Sequence, residues 1–238
     1  EKGSFKFLNL ALIVFCLTTL PQTLVAQQEA EQQSQVDLGA FVKEIFKLRL
    51  DGNLSELAMW IPFEFYVEAS LTEGGKTRQA VEKELEYLKP YTTMMVQCSI
   101  EQPDGTALYS SEEDVRKRAV LKLPDGTEIG PLASVPPLVA ATVAATKTML
   151  SAEGDPGGAN MHVLVFPNKN KQGQPIVDAS KKDKLILVLK ADVPFDKTVF
   201  TWHTPFDATM VVPPCAKCGE TVSASWSFCP WCGVALSK

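Results

Sequence analysis

Thr93-Met94-Met95-Val96-Gln97-Cys98-Ser99-Ile100-Glu101 carries the clearest periodicity in this 238-residue chain. Met94, Val96, Cys98 and Ile100 alternate with Thr93, Met95, Gln97, Ser99 and Glu101, and a period of two puts the first set on the buried face of a strand. Upstream, Thr77 predicts an N-cap for a helix over 78–88, with Val81, Leu85 and Leu88 on one face and Pro90 ending it. Asp37 predicts the cap of another helix over 38–50, where Leu38, Phe41, Val42, Ile45 and Phe46 recur at helical spacing before Asp51-Gly52. Ser55 predicts a further helical piece up to Trp60. Residues 63–70 fit a strand by alternation and a helix equally well.

Downstream, two Pro-Asp-Gly triplets, 103–105 and 124–126, supply turn chemistry: Pro fixes φ, Asp bonds locally and Gly accepts positive φ. Residues 115–123 and 127–132 are thereby expected to pair as a hairpin. Within its first strand, Arg116-Lys117-Arg118 reads as a charged edge. Pro136-Pro137 opens an Ala-rich helix to about Ala152, ended by 154–158. Three more strands are expected over 161–166, 184–191 and 199–204. Helices packed on a mostly antiparallel sheet make 36–212 an α+β domain. A segment of that length buries about 70% of its unfolded surface, enough for a real core.

At 45% apolar and 21% charged residues, the composition is that of a globular protein and disfavours disorder, collagen and multiple membrane spans. The net charge of −5 gives no electrostatic reason for nucleic-acid binding, so none is expected. The first residues have the layout of a secretory signal peptide: Lys2 and Lys6, an apolar run over 7–20, Pro21, and small Ala26 before a polar tract. Residues 1–26 are therefore expected to direct export to the periplasm, the extracellular space or the outer face of a membrane. Uncleaved, the same segment would act as an anchor, the only membrane attachment expected. Residues 27–35 hold one apolar side chain among nine and read as a flexible spacer.

The nameable chemistry lies in 213–238. Cys215 and Cys218 form one C-x-x-C, Cys229 and Cys232 a second, with ten residues between them and Gly219 and Gly233 directly after. Two residues between thiolates let a tight turn aim both sulfurs at one ion, and the Gly permits the positive φ that closes it. Four such ligands favour one structural zinc per chain, with iron the commoner wrong metal. A full four-Cys shell leaves no position for substrate or activated water. Exported thiols also meet oxidants, so two disulfides or one redox-active pair are the competing readings.

The segment 213–236 resembles the short zinc-ribbon family, whose members end in a Phe-Cys-Pro-x-Cys-Gly knuckle matching Phe228–Gly233. The resemblance covers about a tenth of the chain and implies a structural metal site without catalysis. It supplies no partner, and 213–238 lack a basic surface: Lys217 and Lys238 stand against Glu220.

His162 reads as a satisfied half-buried side chain, and Cys98 as an inert core thiol. His203 and Asp207, four apart across Pro205, are the one candidate acid–base couple, with no nucleophile assignable to it. No catalytic motif of a known class is present. The expected function is a structural or protein-interaction role at the cell envelope, with an unknown protein partner and no catalytic residue. The alternative is an envelope thiol-disulfide oxidoreductase, or a hydrolase with an unrecognised site in 36–212.

Overall fold

Asp37 caps the first helix as expected, its carboxylate accepting the Ala40 N–H at 3.0 Å, but that helix stops early. The computed structural model describes residues 36–72, 74–150, 156–170, 172–210 and 212–236. The expected export segment and spacer, and the predicted end of the Ala-rich helix past Leu150, lie outside the described residues. Helix α1 spans Leu38–Ile45, after which Phe46 turns extended and strand β1 (Phe46–Asp51) begins. A turn at Gly52, φ +60°, leads into β2 (Leu54–Ile61). Helices over 46–50 and 55–60 are thus overturned. Phe46, Leu48 and Leu50 also alternate with Lys47, Arg49 and Asp51, and pairing along β2 favours that period over the helical one.

Residues 63–70 resolve as helix α2 (Phe63–Thr72). The Thr77 hydroxyl accepts the Ala80 N–H at 3.3 Å and caps α3 (Arg78–Glu84), which passes into a 3₁₀ turn over Glu86–Leu88. Strand β3 (Tyr91–Glu101) is the long axis of the first sheet. β2 lies along one edge; β7 (His162–Pro167) and β4 (Ala107–Tyr109) share the other. Antiparallel register puts Trp60, Met94 and Leu164 on one face, with Glu56 and Cys98 further along it.

The expected strand over 115–123 begins as a helix. Ser111 caps α4 (Glu112–Arg118), its hydroxyl accepting the Asp114 N–H at 3.2 Å. Glu112, Glu113 and Asp114 fill the first turn and Arg116, Lys117 and Arg118 the last, the arrangement that complements the helix dipole. The basic triplet is therefore a helix end and not a guarded strand edge. The expected hairpin survives in short form as β5 (Ala119–Lys122) and β6 (Glu128–Ile129), joined through Gly126 at φ +85°. With β8 (Asp183–Leu189) and β9 (Thr198–Thr204) they form a second antiparallel sheet in the order β6-β5-β8-β9. Helix α5 (Pro137–Leu150) buries Val139 and Val143 and packs against β7. The fold is α+β, mostly antiparallel, as expected; its strands divide into two sheets.

The sheets meet across one apolar core. Trp60 of the first stands edge-on to Trp202 of the second, ring centroids 6.3 Å apart, and the Trp202 indole N–H donates to the Ile45 carbonyl at 2.7 Å. Also between the sheets lies a buried ion pair, Arg118 Nη2 to Glu56 Oε1 at 2.6 Å, each side chain 4% exposed. Burying two charges is costly unless every polar atom finds a partner. Here Arg118 also donates to the carbonyls of Lys190 and Asp196 and lies over the Phe195 ring at 4.7 Å. Glu56 accepts from the Thr198 hydroxyl and faces Arg49 at 3.4 Å.

Removing one partner strands the other charge. Arg118→Ala or Glu56→Ala is expected to lower unfolding stability by about 3–5 kcal/mol, read from the urea midpoint at unchanged m-value. A loss under about 1 kcal/mol, the range of an exposed pair, would contradict the role assigned to it.

Candidate metal centre

Two turns of the same construction lie at Cys215–Gly219 and Cys229–Gly233. In the first, the Gly219 N–H donates to the Cys215 carbonyl at 2.7 Å and the Cys215 N–H to the Glu220 carbonyl at 2.9 Å. In the second, Gly233 donates to Cys229 and Cys229 to Val234, each at 2.9 Å. Gly219 and Gly233 take φ of +75° and +69°, so a side chain at either position would strain the turn that aims the sulfurs. A short antiparallel bridge between Phe228 and Ala235 supports the second turn.

The turns bring all four sequence-predicted ligands together. Cys215 Sγ lies 3.7 Å from Cys232 Sγ, and Cys218 Sγ 3.6 Å from Cys229 Sγ. All four sulfurs fall within 4.8 Å of one another, a group that can hold a metal ion. Four sulfurs placed about 2.3 Å from a central ion form a tetrahedron with edges of about 3.8 Å. The observed separations fit that shell and are far longer than a disulfide bond of about 2.05 Å. All four thiols are free.

The electrostatics also call for a cation. Backbone N–H groups of Cys218 and Lys217 point at the Cys215 sulfur and bring its pKa down to about 6. The Glu220 N–H acts the same way on Cys218, yet desolvation and the neighbouring sulfurs push that thiol up to about 12. Cys232 is also raised: its Val234 N–H lowers it, while desolvation and the Cys229 sulfur outweigh that pull. One thiolate forms readily in this cluster, while desolvation and the neighbouring sulfurs keep Cys218 and Cys232 protonated. Bound metal removes that conflict, because thiolates are its ligands.

The apolar support around the cage is thin. Val222 is buried with Cys215 and Cys229, while Val212, Val234 and Leu236 pack partly against them. Trp226, Phe228 and Trp231 are 39%, 63% and 56% exposed and contribute little to that core.

A residue that sequence reasoning placed elsewhere joins the cage segment to the sheets. Asp207 Oδ1 accepts from the Ala224 N–H at 2.6 Å and the Ser223 hydroxyl at 3.0 Å. Its own N–H, with that of Ala208, donates to the Glu44 carboxylate on α1, at 2.8 and 2.7 Å. Glu44 titrates above its ordinary range because desolvation outweighs those two N–H donors. A second link runs from the Lys182 ammonium to the Ser227 hydroxyl. No local signal marks this role, because the groups that Asp207 binds lie 16 and 17 residues further along the chain.

The other candidates do not assemble into a site. His203 is exposed on β9, and no hydrogen bond joins it to Asp207 among the described residues, so the candidate acid–base couple is not formed. His162 is half-buried with Nε2 2.8 Å from the Ser110 carbonyl. Cys98 is buried beside Glu56 and Arg118, and burial pushes its thiol up to about 12, which keeps it protonated and unreactive. Among the described residues no helix is long and apolar enough to cross a membrane.

No family model matches the chain, and no curated protein does. Among solved structures, a DUF4426 family protein from Pseudomonas aeruginosa PAO1 aligns at 12% identity with a TM-score of 0.28, covering 67% of this chain and 93% of that one. A likeness of that size carries no argument about function.

Removing the Asp207 carboxylate is expected to detach the cage segment without dissolving it. In Asp207→Ala, amide exchange at Ala224 should accelerate by an amount equivalent to about 1–3 kcal/mol, with the knuckle amides of Gly219 and Gly233 unchanged. Equal acceleration at all three would show instead that the cage folds only when docked.

Proposed function

We propose that this is an exported protein of the cell envelope whose C-terminal zinc ribbon serves a structural and protein-interaction role. The observation that carries the reading is the convergence of four free thiols at tetrahedral spacing on paired Gly-closed knuckles. Sulfur-only tetrahedral sites take zinc or iron, and zinc suits a role that needs no electron transfer. Structural zinc contributes on the order of 10–16 kcal/mol in finger peptides at neutral pH, enough to order a segment whose own core is this small. Neither C-x-x-C opens a helix, the setting that activates one thiol in oxidoreductases, which weighs against the redox alternative.

The interaction role is supported by what the cage leaves outside. Trp226 and Trp231, ring centroids 5.7 Å apart, share the surface with Phe228. Aromatic side chains are enriched at protein interfaces, and large ones left exposed at a surface gain the stability of burial only when a partner covers them.

Elemental analysis of protein purified from its native compartment is expected to give one zinc per chain, with the ribbon thiols protected from alkylation until a chelator is added. Cys229→Ser should release the metal and loosen 213–236 while the two sheets still unfold cooperatively. A metal-free protein with an easily reduced disulfide would overturn the reading in favour of thiol-disulfide exchange.

A further inference from the structure

Each sheet ends in a strand with one side open. β1 closes the order of the first sheet and β9 that of the second, and among the described residues no backbone hydrogen bond reaches either from its outer side. The two open edges lie together. The Trp202 indole of β9 reaches the Ile45 carbonyl just before β1, and at the other end of β9 the Thr198 hydroxyl accepts from Arg49. The strands therefore run antiparallel past one another without forming a ladder. Between them is a groove of about 430 Å³, lined by Lys47, Leu48 and Arg49 on one side and by residues 197–201 on the other.

An open strand edge is a template for another strand, and proteins commonly blunt it with charge. β1 is blunted on one face only. Its alternation puts Arg49, with Lys47, on the face that meets β9, and Leu48 and Leu50 on the opposite face, 48% and 70% exposed. The charges are also unequally used. Arg49 is committed to Asp51, Glu56 and Thr198. The ammonium groups of Lys47, from the first edge, and Lys197, from the second, have no ion pair or hydrogen bond among the described residues, and no acidic side chain lines the groove. In a chain of net charge −5, two free ammonium groups lining one groove between unpaired edges call for a negatively charged partner.

We propose that this groove binds an extended acidic segment of another protein, added as a strand beside β1. Strand addition supplies main-chain hydrogen bonds to the open edge, and alternate side chains supply selectivity. On the face towards β9 the incoming side chains are acidic and meet Lys47 and Lys197. On the other face they are apolar and cover Leu48 and Leu50. The partner sequence therefore alternates acidic and apolar residues. A second copy of this chain fits less well: two antiparallel β1 strands with like faces together set basic side chains opposite basic ones, which is destabilising. The site uses no residue of the cysteine cage, so it goes beyond the role proposed for the ribbon and does not rest on it.

The probe is a fluorescein-labelled octapeptide alternating Glu and Val, titrated with the full chain and read by anisotropy. It is expected to bind, and to bind more weakly as salt screens the lysines. N-methylation at every second amide removes ladder donors and leaves the side chains. Tried in both registers, one of the two methylated peptides should bind about tenfold more weakly or worse. An octapeptide alternating Lys and Val should not bind. The double variant Lys47→Glu, Lys197→Glu should reverse the preference, losing the Glu-Val peptide by about tenfold or more and gaining the Lys-Val one. Should that variant fail to fold, the peptide series on the natural chain still decides. No binding of the Glu-Val peptide at millimolar concentration, or binding that N-methylation in either register leaves unchanged, would overturn the proposal. So would a concentration-dependent dimer abolished by Leu48→Lys, which would assign the edge to a second copy.

Discussion

Four sulfurs held within 4.8 Å cannot all carry charge by themselves, and the C-terminal segment is organised around that constraint. Backbone N–H groups favour one thiolate at Cys215, while desolvation and the neighbouring sulfurs hold Cys218 and Cys232 protonated. A cation at the centre reverses the balance, turning mutual repulsion into four attractive bonds. A bound metal would supply cohesion that the segment's small hydrophobic cluster does not. Its largest apolar side chains are accordingly free to stay at the surface, where Trp226, Phe228 and Trp231 are found.

Attachment of that segment runs through carboxylates. Glu44, at the end of α1, receives two N–H groups of the 3₁₀ turn at Asp207–Thr209, and Asp207 in turn receives the Ala224 N–H and the Ser223 hydroxyl. Each link is a charge-assisted bond to a fixed backbone or hydroxyl donor, which sets orientation more strictly than apolar contact does. The two sheets use the same device. Glu56 and Arg118 are so fully enclosed that any relative slip of the sheets would leave a buried charge unpartnered, which is how a buried ion pair can specify one packing.

How far the sequence could be read depended on whether local signals agreed. β3 was legible as a strand, although Thr93, Met95 and Gln97 are buried along with Met94, Val96 and Cys98, so it does not have the single buried face that the alternation predicts; the caps at Asp37, Thr77 and the two Pro-Asp-Gly turns act through their own side chains and were legible too. Residues 46–50 fit two periods at once, and pairing with β2, a partner named only by the folded chain, chose the strand. For 112–118, matched charges at both ends of the segment announced a helix, but the adjacent turn drew the reading towards a hairpin. Among candidate site residues, the four cysteines were legible because chemistry dictates their spacing. Asp207 and Arg118 were not, since each acts on groups distant in sequence and nothing beside it signals the contact.

The end of the chain gathers four sulfurs beside a two-sheet α+β body, and its role depends on what lies at their centre. X-ray absorption at the zinc edge, on full-length protein taken from its native compartment, reports that shell directly. A zinc ribbon gives a single shell of four sulfurs at about 2.3 Å with no nitrogen or oxygen neighbour. A spectrum with light-atom ligands in place of sulfur, or no zinc edge together with the sulfur-edge signature of disulfides, would contradict it.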